Sequence, residues 1–425
     1  MDTTIRWELP NPFLKPDGSL IQNPEEWPAQ QEVLKQILAE DFYGIQPPAP
    51  GNVVAEKQSE QLLWDGEGLF EAYELSFGPD HQVKMRTALI RSPKAEAPQI
   101  PVVLCGGFVA ENIAKMAVSK GFLIATPLCD DAAPDAPNYQ EGSLYQAYPE
   151  YSFKVISMWG WLMSRVIDWL ETLACADTDK LVIAGHSRFG KAALACAVYD
   201  DRVKVCAAGG SGCGGIGSLR LGGGRAGEGY GDVETLGGMI TGYFPHWFLD
   251  SLVPFGAKEA SAHFRENELR FDANFIGAAI APRPLILVEG LDDTWANPYG
   301  TYASWSATAE VYHFLGADEK CAIHFREGGH ALNMEDWETF LDFAKVQLLG
   351  TEKKSTYKTR VPNEVAVGRS WKAPVEDAPA ETGFNLEAMK GMLKGKWAFG
   401  DAGFETGIEK FIKMMIAKAE AEQQG

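Results

Sequence analysis

Short apolar runs recur along this chain, separated by segments whose apolar positions fall three and four residues apart. The runs rich in β-branched residues predict strands at Val83 to Ile90, Pro101 to Leu104, Phe122 to Thr126, Lys180 to Ala184, Val203 to Ala208, Pro284 to Val288 and Cys321 to Phe325. The 3.6-residue spacing predicts helices at Ser157 to Thr172 and Lys191 to Tyr199. Strand and helix in alternation argue an α/β fold with a mainly parallel central sheet and helices on both faces. Ligands of such a sheet sit beyond the carboxyl ends of its strands. The first fifty residues, with Pro10-Asn11-Pro12, a helix near Gln30 to Glu40 and Gln46-Pro47-Pro48, read as a wrapping segment. Gly209 to Gly231 is too irregular for a dinucleotide fingerprint; it reads as backbone packed close to a site or as flexible loop.

Beyond Leu349 the composition changes, through Lys353-Lys354-Ser355 and Pro374 to Pro379. This divides the chain into a body of residues 1–350 and a partly helical C-terminal extension of residues 351–425. Apolar spacing at Phe411, Met414, Met415 and Ala419 predicts an amphipathic helix docked on the body.

Composition narrows the function classes. With 425 residues, 46% of them apolar, and 12 tryptophans, the chain can bury the core of one large unit. A net charge of −20 opposes binding to nucleic acid or anionic membranes, although a pocket can still be locally basic. No run of 18 apolar residues predicts a transmembrane helix, and Met1 to Trp7 lacks the basic and apolar regions of a signal peptide. Seven cysteines without C-x-x-C spacing predict buried, reduced thiols and a cytoplasmic setting, and no metal or cofactor is called for.

The chemistry is concentrated in Gly185-His186-Ser187-Arg188-Phe189-Gly190-Lys191. This G-x-S-x-G follows an apolar strand and opens a helix, the strand–turn–helix context of the nucleophile elbow in an α/β-hydrolase fold. A serine hydroxyl needs an imidazole to take its proton and a carboxylate to fix the imidazole, in the chain order Ser, acid, His. His330 follows the last strand in Glu327-Gly328-Gly329-His330-Ala331 and is the expected base, with His246 and His263 in reserve. His81 precedes the elbow, His186 is expected to leave the turn on the other side, and His313 and His324 read as structural. Asp293, in the loop after the penultimate strand, is the expected acid and Asp292 the second choice; the alternative is an Asx-type turn.

The backbone N–H of Arg188 is placed by the elbow to face a developing oxyanion, and its guanidinium could hold that charge or a substrate acid. Lys191, four residues after Ser187, projects from the same helix face. Together they point to a negatively polarised, hydroxyl-rich substrate. The alternative for Lys191 is an ordinary solvated helix charge.

The elbow resembles the G-x-S-R-x-G-K motif of glucuronoyl esterases, serine carbohydrate esterases acting on esters of 4-O-methyl-glucuronic acid. Trp159-Gly160-Trp161, Arg165-Val166-Ile167-Asp168, Ser211-Gly212-Cys213-Gly214-Gly215, Phe244-Pro245-His246-Trp247-Phe248, Ala281-Pro282-Arg283-Pro284 and Asp293-Thr294-Trp295 extend the resemblance from about Leu9 to Leu349. It implies Ser187 as nucleophile, His330 as base and Arg188 as oxyanion stabiliser. It further implies that Lys191 bonds sugar hydroxyls, that Glu234 binds the uronate and that Trp295 packs near it. Where many members carry a catalytic glutamate this chain has Gly210, so the acid falls to Asp293. Cysteines that flank the serine and histidine in secreted fungal members are His186 and Ala331 here.

The expectation is thus a metal-free serine esterase acting on a small-molecule or oligosaccharide ester of glucuronic acid, residues 1–350 being its catalytic domain. The alternatives are a general or acetyl-sugar esterase of the same fold and a catalytically degenerate uronate-binding protein.

Overall fold

A computed structural model describes residues 8–94, 99–107, 109–220, 233–256, 265–359, 371 and 373–374. Among these residues nine strands form one sheet: β1 (Val54–Leu63), β2 (Gly68–Phe77), β3 (Val83–Arg91), β4 (Ile100–Cys105), β5 (Leu123–Pro127), β6 (Ala176–His186), β7 (Val205–Gly209), β8 (Leu285–Gly290) and β9 (Cys321–Arg326). Their order is β1-β2-β3-β5-β4-β6-β7-β8-β9. The run from β5 to β9 is parallel, whereas β1, β2 and β3 join it antiparallel at one edge. The expected parallel sheet is present, and the antiparallel β1–β2 hairpin is an addition to it.

Each inner strand is buried on both sides, and its two-residue period divides it between two cores. Val102, Leu104, Ile183, Cys206 and Leu287 face the larger core. Their chain neighbours Val103, Cys105, Val182, Ala207 and Val288 face the smaller one. The larger core is closed by helices Trp27–Leu38, Val155–Leu170, Arg188–Tyr199 and Ala273–Ile280. The smaller is closed by Glu111–Ser119 and Met334–Leu349. Helix Val155–Leu170 reads as apolar almost all round because it is buried on nearly every side.

The N-terminal segment is anchored to the body where Trp27 Nε1 donates to Ala281 O at 3.2 Å and Gln31 Nε2 to Ala279 O at 2.8 Å. Past residue 350, Lys358 exchanges backbone hydrogen bonds of 2.8 Å with Ile323 of β9, and Tyr357 enters the smaller core. Trp371 Nε1 donates to Leu9 O at 2.7 Å. The predicted C-terminal amphipathic helix lies outside the described residues, as do His263 and the later part of the glycine-rich stretch. All seven cysteines are free and six are buried, as expected of reduced thiols. Among the described residues no helix is long and apolar enough to cross a membrane, and no group of side chains is arranged to hold a metal ion.

Candidate active site

Strand β6 ends at His186 and the helix Arg188–Tyr199 begins two residues later, leaving Ser187 alone to make the turn. Its backbone is forced to φ 54° and ψ −125°, a region costing an L-residue about 1–3 kcal/mol. Its N–H donates to Gly209 O at 2.9 Å, and its C=O accepts from Lys191 N at 3.0 Å, starting the helix. The turn is sharp enough that a Cβ on Gly185 would stand 2.1 Å from Phe189 O. That contact explains the first glycine of the motif. Phe189 stacks on Trp159, with ring centres 4.7 Å apart and planes 15° from parallel. Trp159 and Gly160 therefore serve the packing of the elbow helix.

The three residues expected to act together do meet. His330 Nε2 lies 3.0 Å from Ser187 Oγ, and His330 Nδ1 lies 2.6 Å from Asp293 Oδ2. Asp293 is 3% exposed, and its other oxygen accepts from Ala296 N at 3.1 Å. Asp292 does something else: it accepts from Gly328 N at 3.0 Å, joining the acid loop to the histidine loop. An ionised Asp293 is an acceptor only, so Nδ1 carries a proton and Nε2 is left to accept from the serine hydroxyl.

His186 departs from expectation. Its side chain does not leave on the far side of the turn. It lies against the His330 loop, its Nε2 2.6 Å from His330 O and its ring centre 4.6 Å from that of His330. Burial, and then the neighbouring His330, pull its pKa down to about 4. A histidine donating Nε2–H to a carbonyl while neutral fits that direction.

Lys191 and Glu234 form a buried ion pair at 2.8 Å, with side chains 2% and 4% exposed. Lys191 also donates to Ser211 O at 2.6 Å, which ties the glycine-rich stretch to the elbow helix. Lys191 is not the solvated helix charge that the sequence left open. Burial pushes the Glu234 carboxyl above the usual carboxylate range, and Lys191 opposes it. Glu234 N donates to Trp295 O at 3.0 Å. The half-buried Trp295 ring meets Tyr243 edge-on, with centres 5.8 Å apart, so an aromatic wall stands beside Glu234.

The Arg188 guanidinium is not free either. It is paired with Asp135 and lies 5.3 Å from the ring centre of Phe244 and 5.2 Å from that of Trp247. His246, a reserve candidate for the base, donates Nε2–H to Asp135 Oδ1 at 2.8 Å and lies outside the Ser–His–Asp chain. Sequence reasoning missed Asp135, because nothing local marks which of the aspartates in Asp130-Asp131-Ala132-Ala133-Pro134-Asp135 turns inward. It also missed Gly106-Gly107, the turn directly after β4, on which the Phe189 ring rests. In this fold a loop at that place usually supplies the second oxyanion donor beside the N–H following the nucleophile. A glycine pair directly after a buried strand was the available signal.

The sequence model of the family described as "Glucuronyl esterase, fungi" matches residues 80–316, more than half of the chain. The chain belongs to the glucuronyl esterase family. Among curated relatives, the Carbohydrate esterase MZ0003 of an unknown prokaryotic organism is 24% identical over 81% of this chain and 90% of its own length. The 4-O-methyl-glucuronoyl methylesterase 1 of Wolfiporia cocos is 27% identical, over 72% of each chain. Among solved structures, a carbohydrate esterase family 15 glucuronoyl esterase from Caldicellulosiruptor kristjansonii superposes with a TM-score of 0.67 at 25% identity. That match covers 88% of this chain and 97% of the other. Glucuronyl esterases are carboxylic ester hydrolases with the α/β-hydrolase fold, so sheet, elbow and family agree.

Proposed function

We propose that this protein hydrolyses esters of glucuronic or 4-O-methyl-glucuronic acid through an acyl-enzyme on Ser187. The observation that carries the reading is the continuous chain Ser187–His330–Asp293, with contacts of 3.0 and 2.6 Å, in a member of the glucuronyl esterase family. His330 Nε2 takes the hydroxyl proton as Ser187 Oγ bonds to the ester carbonyl carbon, and Asp293 stabilises the imidazolium. The carbonyl oxygen becomes an oxyanion facing the Arg188 N–H at the positive end of the elbow helix. As the intermediate collapses, the alcohol leaves with the proton from His330. A water then gives a proton to the same nitrogen and attacks the acyl carbon. When that proton returns to Ser187 Oγ, uronate is released and the free enzyme restored.

Glu234 and Lys191 beside Trp295 supply the sugar-binding wall, with donors and acceptors for hydroxyls and an indole edge for the pyranose ring. The reading extends to a cytoplasmic setting, supported by seven free thiols. The substrate there would be an imported aldouronic fragment or a uronate alkyl ester.

Comparing turnover of methyl glucuronate with that of 4-nitrophenyl acetate tests the assignment. A clear preference for the uronate ester is expected, with Ser187→Ala inactive on both and wild-type Ser187 labelled by a fluorophosphonate. A preference for the acetate would replace the uronate assignment by a general esterase. Failure of Ser187 to label would leave a binding protein.

A further inference from the structure

The carboxylate of Asp135 has every oxygen engaged. Oδ2 takes the Arg188 guanidinium, and Oδ1 accepts from His246 Nε2 at 2.8 Å and from Trp247 Nε1 at 2.7 Å. Its own N–H donates to Asp130 Oδ1 at 3.2 Å, fixing the loop that presents it. The partners come from two parts of the fold: Asp135 from the loop after β5, His246 and Trp247 from the connection between β7 and β8. Trp247 and Phe244 stack at 3.7 Å with planes 3° apart, and the guanidinium lies within 5.3 Å of both ring centres. A long arginine side chain, 40% exposed, would otherwise sample many rotamers beside the nucleophile. Here a carboxylate on one side and two rings on the other leave it one position.

The same contact changes the charge of the site. Arg188 is matched by Asp135 and Lys191 by Glu234, while Asp293 remains as a further carboxylate behind His330. Among the described residues, neither cation of the site stands without a carboxylate partner. The ester substrate is uncharged at its reacting carbon, but the released uronate carries a full negative charge. A paired guanidinium can still donate to an oxyanion that forms against it, yet attracts a settled anion far less than a bare one.

We propose that Asp135 is the positioning residue of this esterase, holding the Arg188 guanidinium beside Ser187 while cancelling its charge, so that the site releases the uronate anion it makes. The second half rests on the uronate-ester reading above; the first half applies to any ester.

The test is a double-mutant cycle of Asp135→Asn and Arg188→Ala, measured on both 4-nitrophenyl acetate and methyl glucuronate. D135N is expected to lower kcat about tenfold on both substrates with KM changed less than about threefold, a fraction of the effect of losing an oxyanion donor. In the R188A background the same change is expected to cost less than about twofold, because Asp135 acts through Arg188. Free glucuronate is expected to inhibit D135N at least about fivefold more tightly than wild type, while neutral methyl glucoside inhibits both alike. If D135N does not fold, Trp247→Phe keeps the ring stack but removes the N–H to Asp135; its smaller loss should likewise vanish in R188A. Equal losses with and without Arg188, or unchanged kcat in D135N, overturn the positioning role. Unchanged glucuronate inhibition overturns the charge role. A wild-type enzyme active on the acetate but not on the uronate ester would defeat the substrate reading alone, with the acetate cycle still deciding the positioning role.

Discussion

Gly210 leaves open the space that the Asp293 carboxylate enters. A Cβ placed on Gly210 would lie 3.4 Å from Asp293 Oδ2 and 3.4 Å from His330 Cε1, so a side chain there would compete for the same imidazole edge. The resemblance places a glutamate of other glucuronyl esterases at this position. With Gly210 in its stead, the carboxylate that meets His330 comes from the loop after β8. Asp293→Asn is therefore expected to cut kcat by about 10³–10⁴, because an amide can stabilise the wrong tautomer and carries no charge. Asp292→Asn, whose carboxylate only accepts from Gly328 N, should retain activity within about tenfold. Steady-state kinetics of the two variants check this; the opposite order would move the acid to Asp292.

Lys191 and Glu234 are buried together, so removing one leaves the other without its counter-charge. Lys191→Ala is expected to cost about 3–5 kcal/mol of folding stability, in addition to any weakening of substrate binding. Adding Glu234→Gln to that variant should recover part of the loss, since a neutral amide is cheaper to leave unpaired. Urea unfolding of the single and double variants measures both. A Lys191→Ala protein as stable as wild type would mean that water reaches Glu234 and relieves it.

The parallel sheet and the Ser187–His330–Asp293 contacts were legible because each depends on a local pattern. Buried parallel strands must be apolar on both faces, and the elbow needs small residues around a serine. The His330 and Asp293 loops follow the last two strands, where the fold requires its base and acid. The β1–β2 hairpin was not legible. Strand β1, Val-Ala-Glu-Lys-Gln-Ser-Glu-Gln-Leu-Leu, is exposed along most of its length and carries little apolar alternation. Its pairing with β2 rests on backbone hydrogen bonds at the sheet edge. Asp135 and the inward turn of His186 were hidden for another reason: both are set by contacts between residues more than 50 positions apart, at which no periodicity can hint.

His186 gives the fold an acid-sensitive joint. Its pKa of about 4 lies below the free histidine value of about 6.5, so the folded protein takes up its proton less readily than the unfolded chain. Its contribution to stability is thus complete above about pH 6.5 and is lost progressively as pH falls towards 4. Between pH 7 and 5 the loss amounts to about 2 kcal/mol. His186→Gln keeps a donor for His330 O and does not titrate, so it should flatten that part of the stability curve. Unfolding midpoints at pH 7 and pH 5 decide it; an unchanged slope would put the titrating group elsewhere.

Glu289 is the second-last residue of β8, four residues before Asp293, and is 1% exposed. Burial first, and then the Asp293 charge, push its carboxyl well above the usual range, so it is held as the neutral acid. The sign of its effect follows. The unfolded chain ionises this group above about pH 4.5 while the folded protein keeps the proton, so its contribution is present at low pH and declines as pH rises. The decline is up to about 1.4 kcal/mol per pH unit until the folded-state pKa is reached. Glu289→Gln has nearly the same shape and is already neutral. It is expected to match wild type in stability near pH 4.5 and exceed it by a growing margin at pH 6 and pH 8. Its kcat at pH 7 should stay within about twofold of wild type, because replacing a neutral acid by an amide leaves the field at Asp293 nearly unchanged. Thermal unfolding across that pH series reads the margin. If Glu289→Gln were less stable than wild type at pH 8, Glu289 would be ionised in the folded protein, and the negative charge behind the triad would be shared between two carboxylates.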